Sequence, residues 1–265
     1  MSHRFVLLLI SVALVFGMAV PTASGGEDAL PLMKKVQGSM YAASEEMQVQ
    51  MDLSGPGAPS GSRVFQMATT APSGGEKKTL IRFESPSSIE GLTLLTVERK
   101  AGGSDNWLYL PALDQVRRVA ATDRSESFVQ SDFAIEDMTV AVDPESRSYS
   151  RVGAEPCGER ACTQVEDRPK TAAAGKASGY GRVVLHVDDE LSVVHRVDFY
   201  DKSGGLMKVL QASGLAEVAP GVWRFERAKL ANLKRGTSTE MRVLSRSVGQ
   251  KLDTAMFSPS NLDGW

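Results

Sequence analysis

The residues that could carry out chemistry are few. They are His186 and His195, the cysteines Cys157 and Cys162, and the acids scattered from Asp123 to Asp137. Acid–base or metal chemistry would need such groups to converge. Both histidines sit in strand-like stretches without an accompanying acid or thiol pattern, which describes structural or surface histidines. The chain has no H-E-x-x-H, no phosphate-cradling G-x-x-x-x-G-K-S/T and no G-x-S-x-G elbow. Asp123, Glu126, Asp132, Glu136 and Asp137 lack the D-x-D-x-D-G spacing of a calcium loop. They read as solvated charges or as ion pairs with Arg117, Arg118 and Arg124. No enzymatic reaction, cofactor or metal site is expected from this inventory.

The two cysteines close a short loop in EPCGERACTQ. In an oxidising compartment that spacing favours a structural disulfide pinning a hairpin tip next to Tyr149 and Val152. The C-x-x-C spacing of a thioredoxin-like redox pair is absent, and no βαβ pattern surrounds it. Chain-entropy reasoning gives such a small loop ~2 kcal/mol at most.

Binding chemistry has more support. Met47, Met51, Phe65, Met67, Ile81, Phe83, Trp107, Tyr109, Phe199, Met207, Trp223 and Phe225 stand where side chains alternate. Phe128, Phe133, Ile135 and Met138 interrupt a polar run as apolar anchors. Periodicity alone reads these as ordinary core. If they line a cavity instead, flexible and polarizable Met side chains suit a variable apolar ligand.

The elements that would position them are mostly strands. Glu27 and Asp28 precede Leu30, Met33, Val36 and Met40, spaced as one apolar helix face. From Met47 to Leu53 apolar and polar residues alternate strictly, so one face is buried and the other wet. The turn SGPGAPSGS, the Phe65–Met67 strand, a turn over 71–75, the Ile81–Phe83 strand and a strand over 92–97 follow. Trp107 to Leu110 is a strand stopped by Pro111, and 115–120 is another. The second half reads as strands over 183–187, 193–200, 206–211, 222–230 and 239–244. Residues 169–181, rich in Ala and Gly, are the best linker candidate, although one sheet running through them is favoured. The tail SPSNLDGW is expected to cap an edge. Roughly ten strands with few helices imply a mainly β chain, one large curved antiparallel sheet with too few covers for its apolar concave side.

Composition sets the surroundings. His3 and Arg4, an apolar run from Phe5 to Val20, Pro21 and small residues after it describe a secretory signal peptide over 1–25. Residues 26–265 are then a single secreted β domain. The 265-residue chain carries a formal net charge of -2. It offers no basic footprint for nucleic acid, and its basic pairs (Lys77–Lys78, Arg117–Arg118, Lys234–Arg235) read as solvated strand edges.

Between Asn106 and Met138 the strings WLYLPALDQVRRV, DRSESF and SDFAIEDM occur in order. This stretch resembles the LolA-like family of outer-membrane lipoprotein-sorting proteins, in particular its longer branch associated with export systems. The resemblance implies an unclosed β-barrel with a helical lid over a hydrophobic cavity. It implies a periplasmic carrier that shelters the acyl chains of a lipoprotein or lipid, loaded by an inner-membrane transporter and unloaded to an outer-membrane acceptor. The apolar residues named above would then bind lipid, and the stretch from Phe128 to Met138 would be the lid. The competing expectation is a protein-binding or envelope-sensor module on the same fold. A substitution such as Phe65→Trp separates the two, because only a cavity carrier should lose function when a lining residue is enlarged.

Overall fold

The computed structural model describes residues 26–59, 61–70, 76–99, 103–138 and 142–264. The signal-peptide stretch and the turn over 71–75 lie outside these residues. The chain opens with helix α1 (Leu30–Met40), then strands β1 (Glu45–Ser54), β2 (Arg63–Thr69), β3 (Lys77–Ser85), β4 (Thr93–Glu98), β5 (Ser104–Leu110) and β6 (Gln115–Arg118). Three short 3-10 turns follow, over Ala121–Ser125, Phe128–Gln130 and Ile135–Met138. After them come β7 (Arg147–Cys157), β8 (Arg160–Pro169), helix α2 (Ala172–Ala177), β9 (Arg182–Asp188), β10 (Val193–Tyr200), β11 (Leu206–Ala219), β12 (Val222–Asn232) and β13 (Thr237–Val248).

All thirteen strands join one antiparallel sheet in the order β6-β5-β4-β3-β2-β1-β13-β12-β11-β10-β9-β8-β7. The first and last strands pair at its centre, Met51 opposite Met241. From there the chain steps outward to one edge at β6, crosses to the other edge at β7, and steps back. The crossing segment is the polar run with apolar anchors. β6 and β7 do not pair with each other, so the sheet stays an open barrel, as expected. Both edges are guarded: β6 is four residues long and fully exposed with Arg117 and Arg118 on it, and β7 carries a bulge between Arg151 and Gly153.

Alternation decides which side each residue faces. Met47, Val49 and Met51 pair in register with Met67, Phe65 and Arg63, and Phe65 and Met67 with Phe83 and Ile81. These line the concave side. β7 and β8 form the hairpin whose tip the cysteine spacing predicts, though their full spans do not stand out as strands in the sequence. Their runs RSYSRVGAEPC and RACTQVEDRP hold little apolar alternation, because they form a polar outer part of the sheet. The linker candidate is a connection within the sheet. It contains α2, capped by Thr171, whose hydroxyl accepts from the Ala174 N–H at 3.1 Å.

The tail departs from expectation. It does not cap an edge. Met256, Phe257 and Leu262 pack on the outer face of the sheet against Ala68, Leu80 and Leu95, with Trp107 and Tyr109 alongside. Leu80 and Ile81, neighbours in β3, are therefore both buried, on opposite faces. A strand buried on both faces loses the clean alternation that an edge-cap reading assumed.

Candidate functional site

The concave side holds two apolar clusters. One contains Met47, Met51, Phe65, Met67, Ile81 and Phe83, filled from the flap by Phe128, Ile135 and Met138. The Phe65 and Phe83 ring centroids are 5.3 Å apart, and Phe128 meets Phe83 edge-on at 5.7 Å. This half is packed. The other cluster joins Leu32, Met33 and Val36 of α1 to Phe133, Phe199, Met207 and the inner residues of β8 to β12.

An open cavity of about 250 Å³ remains beside the second cluster. Its apolar wall is Met33, Val183, Leu185, Val197, Phe199 and Leu210, from α1 and β9 to β11. Its other wall is polar: Arg124, Glu136 and Asp137 from the flap, with Asp143, Arg147, Tyr149 and Asp167 from around β7 and β8. Ala174, Ala177 and Ser178 close one side. The side chains of Ala174 and Ala177 in α2, and of Ser178 just after it, are small and leave the space beside them open. Large anchors fill the first half instead.

Of the residues read as lipid-binding, Phe199 alone lines this cavity. The six from β1 to β3, with Phe128, Ile135 and Met138, come together in the packed half. Phe133 and Met207 belong to the helix-side cluster. Trp107 and Tyr109 are in register with Leu95 and Thr93 and pack on the outer face, one residue out of phase with Leu108. Trp223 and Phe225 join none of the three apolar clusters. Phe225 instead meets the His195 ring edge-on at 5.0 Å. For these four aromatics the alternation holds, but it cannot say which of two alternating faces is concave.

The flap is fastened by polar side chains. Asp123 and Glu126 are exposed, as expected of solvated acids, but for Asp132, Glu136 and Asp137 the reading as solvated charges or arginine pairs is corrected. Asp132 is 5% exposed. Its carboxylate accepts from the hydroxyls of Thr237 at 2.5 Å and Thr239 at 2.9 Å, while its own N–H donates to Thr239 Oγ1 at 3.0 Å. The Asp137 side chain is 1% exposed and pairs with Lys208 Nζ at 3.2 Å. It also accepts from the Tyr180 hydroxyl at 2.7 Å and the Ala134 N–H at 2.8 Å. Burial, with Asp137 beside it, pushes the Tyr180 phenol far above its ordinary value. Glu136 accepts from Ser178 Oγ at 2.9 Å and the Gly179 N–H at 2.8 Å. Burial raises its pKa above the usual carboxylate value, although the Gly179 bond opposes this. Arg118 pairs with Asp105 instead of a flap acid. These partners lie far along the chain, so no local spacing signalled them. At the flap tip Val129 and Gln130 both adopt positive φ, 46° and 61°, a strained conformation for a β-branched residue.

Other chemistry-bearing residues sit apart from the cavity. His186 is buried, with Nε2 3.3 Å from Asp198 Oδ2, on a side chain alternating away from Leu185. Cys157 and Cys162 form a disulfide across the tip of the β7–β8 hairpin. Among the described residues no group of three or more His, Cys, Asp or Glu is arranged to hold a metal ion. No described helix is long and apolar enough to cross a membrane.

An open antiparallel barrel with a helix and a crossing flap over its concave side is the LolA-like fold, as the strings between Asn106 and Met138 implied. A family model described as an uncharacterized protein matches residues 75–264, and the chain belongs to that family. Among solved structures it is similar to a domain from Vibrio parahaemolyticus named for outer membrane lipoprotein sorting, at 24% identity and a TM-score of 0.79, covering 88% of this chain and 97% of that one. It is similar to a DUF1329 family protein from Desulfovibrio piger at 25% identity and a TM-score of 0.78, with the same coverage, 88% and 97%. A LolA superfamily protein from Nitrosomonas europaea shares the fold at 17% identity and a TM-score of 0.66, covering 88% and 98%. A comparison with curated proteins finds no match.

Proposed function

We propose that this chain is a periplasmic, non-enzymatic carrier that shelters acyl chains of a lipoprotein or lipid between the inner and outer membranes. The carrying observation is the cavity of about 250 Å³ with an apolar wall, under a flap held by side-chain latches. Every methylene moved from water onto that wall contributes ~0.8 kcal/mol. A segment of roughly eight therefore binds usefully without a directional contact. The fold shared with a domain named for lipoprotein sorting supports the same reading.

In this reading residues 1–25 direct export and residues 26–265 act in the periplasm. An inner-membrane transporter loads the carrier and an outer-membrane acceptor empties it. Phe128, Ile135 and Met138 fill the Met-rich half while cargo is absent. They move out with the flap when a longer chain needs that half, and the adaptable Met side chains repack around it.

Native mass spectrometry of protein taken from periplasm without detergent, with lipid extraction, tests this. A defined lipid or lipopeptide adduct is the expected result. An adduct-free mass, together with failure to take up a fluorescent acyl probe, would sink the carrier and favour a protein-binding or envelope-sensor module.

A further inference from the structure

We propose that the cavity takes a single-chain amphiphile with an anionic head, its tail against Val197, Phe199 and Leu210 and its head at the Arg124 guanidinium. This rests on the carrier reading above and narrows its cargo class. Volume sets the number of chains. At ~30 Å³ for a water-sized group, about 250 Å³ holds roughly eight such groups. With the flap in place, that is a segment of one chain.

The state of the polar groups sets the head. Each carboxylate on the polar wall already has a partner. Glu136 accepts from Ser178 and Gly179, and Asp137 from Tyr180 and Lys208. Asp167 faces Arg147 at 2.5 Å, and Asp143 Oδ1 accepts from the Ser146 N–H at 3.3 Å. Arg124, in the turn Ala121–Ser125, differs. Its guanidinium makes no hydrogen bond or salt bridge among the described residues, the buried Nε included, and its side chain lines the cavity. A cavity-lining guanidinium without an acceptor is best answered by a planar or tetrahedral oxyanion. The surrounding acids oppose an anion at long range. An amine head would leave Arg124 unanswered and would meet carboxylates that each hold a partner on at least one oxygen.

Isothermal titration of the mature protein with dodecanoate, dodecyl phosphate, dodecanol and dodecylamine, each below its micelle concentration, tests the assignment. One or both anions should bind at least about tenfold more tightly than the alcohol and the amine. Arg124→Gln should bring the anions down to the level of dodecanol without changing dodecanol itself, and Arg124→Lys should keep part of the preference. The wild-type series does not depend on any variant folding. Equal affinity for all four ligands, a preference for the amine, or an anion preference that survives Arg124→Gln would overturn the head assignment and leave the acyl carrier standing. Failure of all four to bind would overturn both.

Discussion

Asp132 joins the flap to the centre of the sheet, since Thr237 and Thr239 lie on β13. Replacing it with Ala leaves both buried hydroxyls without their acceptor. Asp132→Ala should cost ~1–3 kcal/mol in urea unfolding and speed amide exchange over 128–138. Unchanged exchange there would mean the latch is not what holds the flap. Glu136 acts in the opposite sense. Burial raises its folded-state pKa, so its ionised form penalises the folded state at neutral pH. That penalty fades as pH falls through the raised value, and below the ordinary value of ~4.3 the group is protonated in both states. Glu136→Gln should therefore raise Tm at pH 7, with the gain shrinking toward pH 4. A gain that stayed constant from pH 4 to pH 8 would remove ionisation as the cause.

Two aromatic anchors separate the roles of the elements around the sheet. Phe257 fixes the C-terminal tail to the outer face, 2% exposed among Leu80, Leu95 and Leu262. Phe128 fixes the flap to the inner face, 4% exposed against Phe83. Each truncation to Ala should cost ~3–5 kcal/mol in thermal or urea unfolding, less where the site can collapse. Their effects on an acyl probe should diverge. Phe257→Ala leaves uptake unchanged, whereas Phe128→Ala opens the Met-rich half and raises it. Equal uptake by the two variants would count against the flap as a lid. The tail's role was hidden because Leu80 and Leu95 look like interruptions of an alternating pattern until a second layer is seen to cover them.

For the molecule as a whole, the open sheet leaves its free space off centre, beneath α1, α2 and the flap. This moves the position at which enlargement distinguishes a carrier from a surface-binding module. Phe65 is 1% exposed in a packed cluster, so Phe65→Trp would overpack a core at ~1–3 kcal/mol without entering the cavity. Leu210 is partly buried and lines the cavity. Leu210→Trp should fill it, reduce acyl-probe affinity about tenfold or more, and change Tm little. Normal uptake by that variant would place the lipid elsewhere.

Much was legible in the chain itself: the mainly antiparallel β character, the N-terminal helix, most strands and the flap with its greasy anchors. These depend on near neighbours, through period-two alternation, helical spacing and Gly- or Pro-rich turns. The Cys157–Cys162 pairing belongs with them because six consecutive residues contain it. Tertiary structure decided the rest. It set which alternating face is concave, sending Trp107 and Tyr109 to the outer face. It joined Asp132 to Thr237 and Asp137 to Lys208 across 105 and 71 residues. It also put the cavity beside the small side chains of α2 and away from Met47, Met51 and Met67. Those outcomes depend on how distant segments fill or fail to fill shared space, and no local pattern encodes that volume.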